Sequence, residues 1–350
     1  MIKKVILCVG LCLNFCLITG IAVEPGYIHS YTKRIILQTG DIFVLGGRNS
    51  NVSFSSHGFW YNGSYIKIAE RARLNSMHVQ GNRVYIVGKL RHQAALWAYK
   101  QTEDGWIKDH ILMFAEGELF DVKAKSTGGK HTVYASGVLD EREKMSRCTQ
   151  PYLWKIEHHP LTDQFVLHKQ QPLFSNGSRG HYPLRLFLQK DKVIIGGMIE
   201  IKFGQQNAIV VWQDDWMQKV KIGPINVYDA IWNGNQLITA GSVFVKGREQ
   251  AAYWIGDKEF RCPDSFHMSG MTLKDGKPLM VGHDTDGSDF YWYQDKKVTI
   301  LKPARGNEVY AVVVDGEDMY ITGRMNDYRP YYSKNGKLVK LYFGPQDTWE

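Results

Sequence analysis

One phrase recurs along most of this chain, and a recurring phrase limits the fold more than composition does, because every copy must build the same unit. The phrase runs apolar–aromatic–apolar–x–Gly, then a polar stretch, then Trp or Tyr inside an apolar run, often followed by an Asp/Asn/Gly turn. Its copies pair Gly46 with Trp60, Gly88 with Trp97, Gly137 with Trp154, Gly196 with Trp212, Gly241 with Trp254, Gly282 with Trp292 and Gly323 with Tyr332. The steps between these glycines are 42, 49, 59, 45, 41 and 41 residues.

The segments between turns are short and rich in β-branched and aromatic residues, and none carries the 3.6-residue apolar period of a helix. Turn pairs such as Asn62-Gly63, Asp275-Gly276 and Asn335-Gly336 separate them, and such pairs favour type I′ hairpins. A four-stranded unit repeating every 40–50 residues or so is a propeller blade. The expected fold is therefore all-β: a seven-bladed β-propeller of four-stranded blades, preceded by a signal peptide. The cleanest copy places strand A at 227–232, B at 236–242, C at 250–255 and D at 258–261. Strand A lines the channel, and the glycine on B lets neighbouring sheets approach closely. The tryptophan on C fills the wedge between blades.

Ile42-Phe43-Val44-Leu45-Gly46-Gly47 and Val193-Ile194-Ile195-Gly196-Gly197 resemble the double-glycine strand of Kelch propellers. The later Tyr and Trp spacing of that family is absent, and five copies carry a single glycine. The phrase as a whole is similar to uncharacterised bacterial exported proteins with repeated VYVAG…YWxNG phrases. That resemblance implies fold and export, and no activity travels with it.

The N-terminus has the order of a leader. Lys3 and Lys4 precede an apolar run from Val5 to Ala22, and Gly20-Ile21-Ala22 offers a cleavage site after Ala22. The expected organisation is a signal peptide over 1–22 and a single propeller domain over 23–350, secreted or periplasmic, with no membrane span after cleavage. An uncleaved anchor is the alternative. The formal charge of +8 falls by two, to +6, without Lys3 and Lys4, and it is spread among interleaved acids. No basic run tracks a nucleic acid, so none is expected as a partner. Cys148 and Cys262 remain after cleavage, lie on different blades and are expected to be free thiols.

Candidate sites follow from the repeat. Aligning Met77-His78-Val79, Phe120-Asp121-Val122, Tyr228-Asp229-Ala230 and Phe266-His267-Met268 at the starts of the A strands, with Arg185 nearby, converges His78, Asp121, Arg185, Asp229 and His267 on the upper channel. Such a set can bind an anion, a sugar or a metal, or perform general acid–base chemistry. A water-filled channel with ordinary polar lining is the plain alternative. The loops between strands B and C vary most, and they carry Arg142 and Arg147 in the third copy and Arg324, Tyr328 and Arg329 in the seventh. Asp284, Asp286 and Asp289 resemble a calcium loop, although Gly287 stands fourth where an EF-type loop has it sixth.

Nucleophile-elbow, zincin, phosphate-loop and dinucleotide motifs are absent from the sequence. The function expected from these readings is an exported, monomeric, non-catalytic binding or scaffold module without a cofactor. Its loop face around the channel mouth would take a protein, peptide or glycan. The alternative is a secreted hydrolase or lyase using a His/Asp cluster in the upper channel.

Overall fold

A computed structural model describes residues 28–50, 56–128, 130–141, 148–159, 162, 164–174, 180–190, 192–202, 206–213, 216–301, 308–325 and 327–343. The leader expected over 1–22 lies outside them. Every regular element among the described residues is a strand, and no helix there is long and apolar enough to cross a membrane.

The first sheet is β1 (Ile28–Gln38), β2 (Asp41–Ser50), β3 (Ser56–Tyr61) and β4 (Ser64–Glu70). A seven-stranded sheet follows. It holds β5 (Ala72–Gln80), β6 (Arg83–Leu90), β7 (Gln93–Thr102), β8 (Gly105–Thr127), β9 (Lys130–Glu141), β10 (Cys148–His159) and β11 (Gln164–Pro172). The next two sheets have four strands each. One is β12 (Gly180–Gln189), β13 (Lys192–Lys202), β14 (Gln206–Gln213) and β15 (Trp216–Gly223), and the other β16 (Ile225–Trp232), β17 (Leu237–Val245), β18 (Arg248–Ile255) and β19 (Lys258–Arg261). The last two are β20 (Ser265–Lys274), β21 (Lys277–Asp284), β22 (Asp289–Tyr293) and β23 (Lys296–Leu301), then β24 (Glu308–Asp315), β25 (Asp318–Arg324), β26 (Pro330–Lys334) and β27 (Lys337–Lys340).

All pairing is antiparallel between sequence neighbours. The seven-stranded sheet arises because β8 never breaks: Gly105 to Glu116 pairs with β7, and Gly117 to Thr127 pairs with β9. One strand thus serves as the outer strand of one four-stranded unit and the inner strand of the next. The expected turns are present, with positive φ at both residues of Asn62-Gly63, Asp275-Gly276 and Asn335-Gly336.

The inner strands close a ring. β1 packs on β5, β5 on β8, β8 on β12, and so on through β16, β20 and β24, which packs back on β1. Thr32 Oγ1 on β1 donates to the Gly323 carbonyl on β25 at 3.2 Å, and Trp60 Nε1 donates to the Tyr342 carbonyl at 2.7 Å, so the last sheet is fastened to the first. Repeated four-stranded sheets around such a ring are a propeller-like arrangement. The tryptophans of the third strands fill the wedges: Trp97 packs with Phe43, Leu45 and Phe59 of the preceding sheet, and Trp254 with Ile194, Ile209 and Val211. Trp60, Trp97, Trp154, Trp212 and Trp254 are fully buried.

The recurring glycine has a different cause from the expected one. A Cβ at Gly88, Gly137, Gly241, Gly282 or Gly323 would meet a backbone carbonyl of the inner strand of its own unit at 1.9–2.3 Å, not a neighbouring sheet. In the β12–β15 sheet the residue in that place is Gly197, where a Cβ would stand 2.1 Å from the Tyr182 carbonyl, so the repeat aligns on Gly197 and not Gly196.

Candidate functional site at the channel mouth

Each inner strand carries an irregularity opposite that glycine. The ladder jumps from Thr32 to Arg34 in β1, Leu74 to Ser76 in β5, Leu119 to Asp121 in β8 and Tyr182 to Arg185 in β12. It does so again from Val227 to Asp229 in β16, Met268 to Gly270 in β20 and Val309 to Ala311 in β24. A bulge leaves one residue unpaired and re-aims its side chain. The residues left over are Lys33, Asn75, Phe120, Leu184 with Pro183, Tyr228, Ser269 and Tyr310. Lys33, Asn75, Phe120, Leu184, Tyr228, Ser269 and Tyr310 all line one cavity of about 640 Å³, which fills the mouth of the central channel. This size falls in the range of ligand pockets.

One wall is basic. Lys33 Nζ donates to Asn75 Oδ1 at 2.8 Å, Asn75 Nδ2 donates to Glu118 Oε1 at 2.6 Å, and Arg73 Nε lies 3.1 Å from the same carboxylate oxygen. Burial, then the charge of Arg73, pulls the Lys33 ammonium down to about 8. Deeper, Arg185 Nη2 lies 2.5 Å from Asp229 Oδ1, and Arg34 Nη1, arriving from β1, lies 3.9 Å from Oδ2. Burial pushes the Asp229 carboxyl up to about 6, against the pull of Arg34 and two backbone N–H donors. Lys33, Arg34, Arg73 and Arg185 thus share the mouth with two carboxylates, Glu118 and Asp229.

The opposite wall is aromatic and titratable. His267 packs with its ring tilted 5.2 Å from Tyr228 and edge-on 5.0 Å from His283, between ring centroids. His283 Nδ1 lies 2.7 Å from Oδ1 of the buried Asp289. Burial, then His283, depresses His267 to about 4, so its imidazole is neutral at pH 7. Its Nδ1 is buried with no hydrogen-bond partner among the described residues. Tyr310 donates to Glu308, whose other oxygen takes Arg324 Nη2 at 2.5 Å. Burial and that carboxylate raise the Tyr310 phenol well above its ordinary range.

The residues expected from sequence separate into three groups. Arg185 and His267 line the mouth. Asp121 and Asp229 are buried just beneath it and latch neighbouring sheets: Asp121 Oδ2 accepts from Leu186 N–H at 2.8 Å, and Asp229 Oδ2 from Met271 N–H at 2.9 Å. Ser76 also donates to Asp121. His78 lies two residues past the equivalent place, which Ser76 holds, and its Nε2 faces the Ala124 carbonyl at 3.1 Å. Burial depresses it to about 4. Tyr228 and Tyr310, which the bulges present, are the residues that sequence alignment passed over.

The outer-loop residues are dispersed. Arg142 and Arg147 lie outside the described residues. Arg324 reaches Glu308 and stacks over Tyr328 at 5.1 Å, which ties that loop to Tyr310, while Arg329 pairs with Asp327. The three aspartates of the calcium-like loop do different work. Asp284 pairs with Lys297 at 2.7 Å, Asp286 caps Ser288 N–H at 2.8 Å, and Asp289 supports His283. No group of three or more acidic, His or Cys side chains placed to hold a metal occurs among the described residues. Cys262 is a buried free thiol, and the Cys148 side chain lies outside the described residues.

No family model and no curated protein matches the sequence. Solved structures share the fold. The chain is similar to an acylaminoacyl peptidase from Pyrococcus horikoshii, at 11% identity, 89% of this chain, 52% of that chain and a TM-score of 0.57. A puromycin-hydrolyzing peptidase from Mycobacterium tuberculosis gives 10%, 89%, 53% and 0.57. A prolyl endopeptidase gives 11%, 89%, 49% and 0.51. At such identity the likeness is one of fold, and the chain spans about half the length of these peptidases. A non-catalytic binding or scaffold module using the loop face around the channel mouth is the expectation that these findings correct. The neighbours in fold are peptidases, and a cavity to which all seven inner strands contribute lies at their bulges.

Proposed function

We propose that the chain is an exported hydrolase or lyase, a monomeric seven-bladed propeller in which β8 serves two blades and the reacting groups sit at the channel mouth. The observation that carries this reading is His267: a neutral imidazole on the wall of the cavity, seated on the His283–Asp289 pair. With Nδ1 buried, the ring meets a ligand through Nε2, where it accepts a proton as a general base. Tyr310 stands on the same wall with its phenol kept protonated beside Glu308, and the His267 imidazolium formed on accepting the proton returns it to a departing oxygen. His283 orients the His267 ring, and Asp289 fixes the orientation of His283.

Purified chain is incubated with oligosaccharide and peptide substrates, and product is followed by mass spectrometry. His267→Gln should lower turnover by about 100-fold or more, the scale of a lost general base, with circular dichroism unchanged. Turnover that survives His267→Gln, or none on either substrate class, overturns the reading.

A further inference from the structure

From the two walls of the mouth we infer that the ligand is an acidic oligosaccharide, its carboxylate held by Lys33 and Arg73 and its sugar rings stacked on Tyr228 and Tyr310. This rests on the mouth being the working site, as proposed above, and adds the class of substrate. Four cations from β1, β5 and β12, namely Lys33, Arg34, Arg73 and Arg185, stand with Glu118 among the residues that line the cavity. Asp121 and Asp229 lie buried beneath it, with Asp229 shared by Arg34 and Arg185, while Glu249 and Glu308 hold Tyr228 and Tyr310 on the opposite wall. An anion entering from solvent therefore meets a wall on which cations outnumber acids. Arg73 is the accessible one, its side chain 64% exposed, and the planar guanidinium suits a carboxylate.

The rest of the lining selects the body of the ligand. Tyr182 and Tyr228 are exposed at 39% and 42%, and Phe120 and Tyr310 join them around the cavity. Flat aromatic faces on several inner strands, with polar groups such as Asn75 and Ser269 between them, match the alternating apolar faces and hydroxyl edges of pyranose rings. A peptide would ask instead for an enclosed apolar pocket for a side chain, and the aromatic residues here stand around an open mouth.

The test is calorimetric titration of the full chain with tetragalacturonate, cellotetraose and tetraglutamate at low and high salt. Tetragalacturonate should bind, weaken as salt rises, and lose about tenfold or more in affinity in Lys33→Gln and in Arg73→Gln, the scale of one charge-assisted hydrogen bond. Cellotetraose and tetraglutamate should bind at least tenfold more weakly. Absence of tetragalacturonate binding, equal binding of cellotetraose, tighter binding of tetraglutamate, or affinity unchanged in both variants overturns the inference. Binding without turnover would sink the hydrolase or lyase reading and leave the ligand class standing. Turnover of a neutral glycan without binding of the acidic one would do the reverse.

Discussion

Asp229 on β16 accepts the backbone N–H of Met271 on β20 at 2.9 Å, one residue past the bulge of that strand. Asp121 repeats the relationship with Leu186 on β12. In both places the carboxylate follows the bulge of its own strand and reaches past the bulge of the next. The latch joins two sheets at the floor of the mouth, and it explains why aspartate recurs there.

Removing a latch leaves a buried N–H unsatisfied and, at Asp121, a serine hydroxyl without its acceptor. Asp121→Ala should cost about 2–4 kcal/mol of stability, measured by urea denaturation. A change below about 0.5 kcal/mol, the ordinary surface value, would contradict the latch.

The glycines opposite the bulges should be intolerant of any side chain. At Gly241 a Cβ would stand 1.9 Å from the Asn226 carbonyl oxygen, whereas at Gly223 the nearest atom is a flexible methyl at 3.6 Å. Gly241→Ala should lose about 3 kcal/mol or fail to accumulate, while Gly223→Ala stays within about 1 kcal/mol. Equal melting temperatures for the two variants would argue against the carbonyl contact.

Acid should unfold the protein partly through its histidines. His57, His78 and His267 are each depressed from 6.5 to about 4, by burial first in every case. The unfolded chain binds more protons than the folded one between these values. Stability from keeping them neutral is complete above about pH 6.5 and drains away as pH falls towards 4, each group adding about 1.4 kcal/mol per pH unit in that window. Melting temperature against pH should show this fall, and it should be shallower in His78→Gln.

Binding of an acidic ligand should fade in alkali as well. Lys33 titrates near 8 among Arg34, Arg73, Glu118 and His57, and the arginines keep their charge. Affinity for tetragalacturonate should therefore drop between pH 7 and 9 in the wild type and stay flat in Lys33→Gln. A parallel drop in both would place the titration elsewhere.

Cys262 is buried, and burial with the nearby Asp295 holds its thiol above the ordinary range. Iodoacetamide should leave Cys262 unmodified in the native protein and label it fully after denaturation, as mapped by mass spectrometry.

The repeat was legible in sequence because strand alternation, hairpin dipeptides and wedge tryptophans are local signals, and the cleanest copy lies within two or three residues of β16 to β19 at each strand end. The mouth was legible only in part. A bulge inserts one residue without a compositional mark, so aligning Met77-His78-Val79 with Phe120-Asp121-Val122 slipped two places, and Phe266-His267-Met268 slipped three the other way. Only the pairing with strand B reveals that Ser76 and Gly270 are the counterparts of Asp121 and Asp229. His267 reaches the mouth in spite of that slip, from a position three residues before Gly270. The partners of Asp289 and Arg324, His283 and Glu308, stand directly opposite them on the adjacent strand of the same sheet, so they emerge only once the strand register is known.

The ring closure also sets the moment at which the mouth is complete. Arg34 belongs to the first sheet synthesised, and its carboxylate Asp229 to one that follows nearly two hundred residues later. Tyr310, with its Glu308, comes from the last sheet of all. A half-made chain, however well its early sheets have formed, holds the basic wall with Glu118 and lacks Tyr228, His267 and Tyr310 opposite it. The mouth is born whole only when β24 docks on β1.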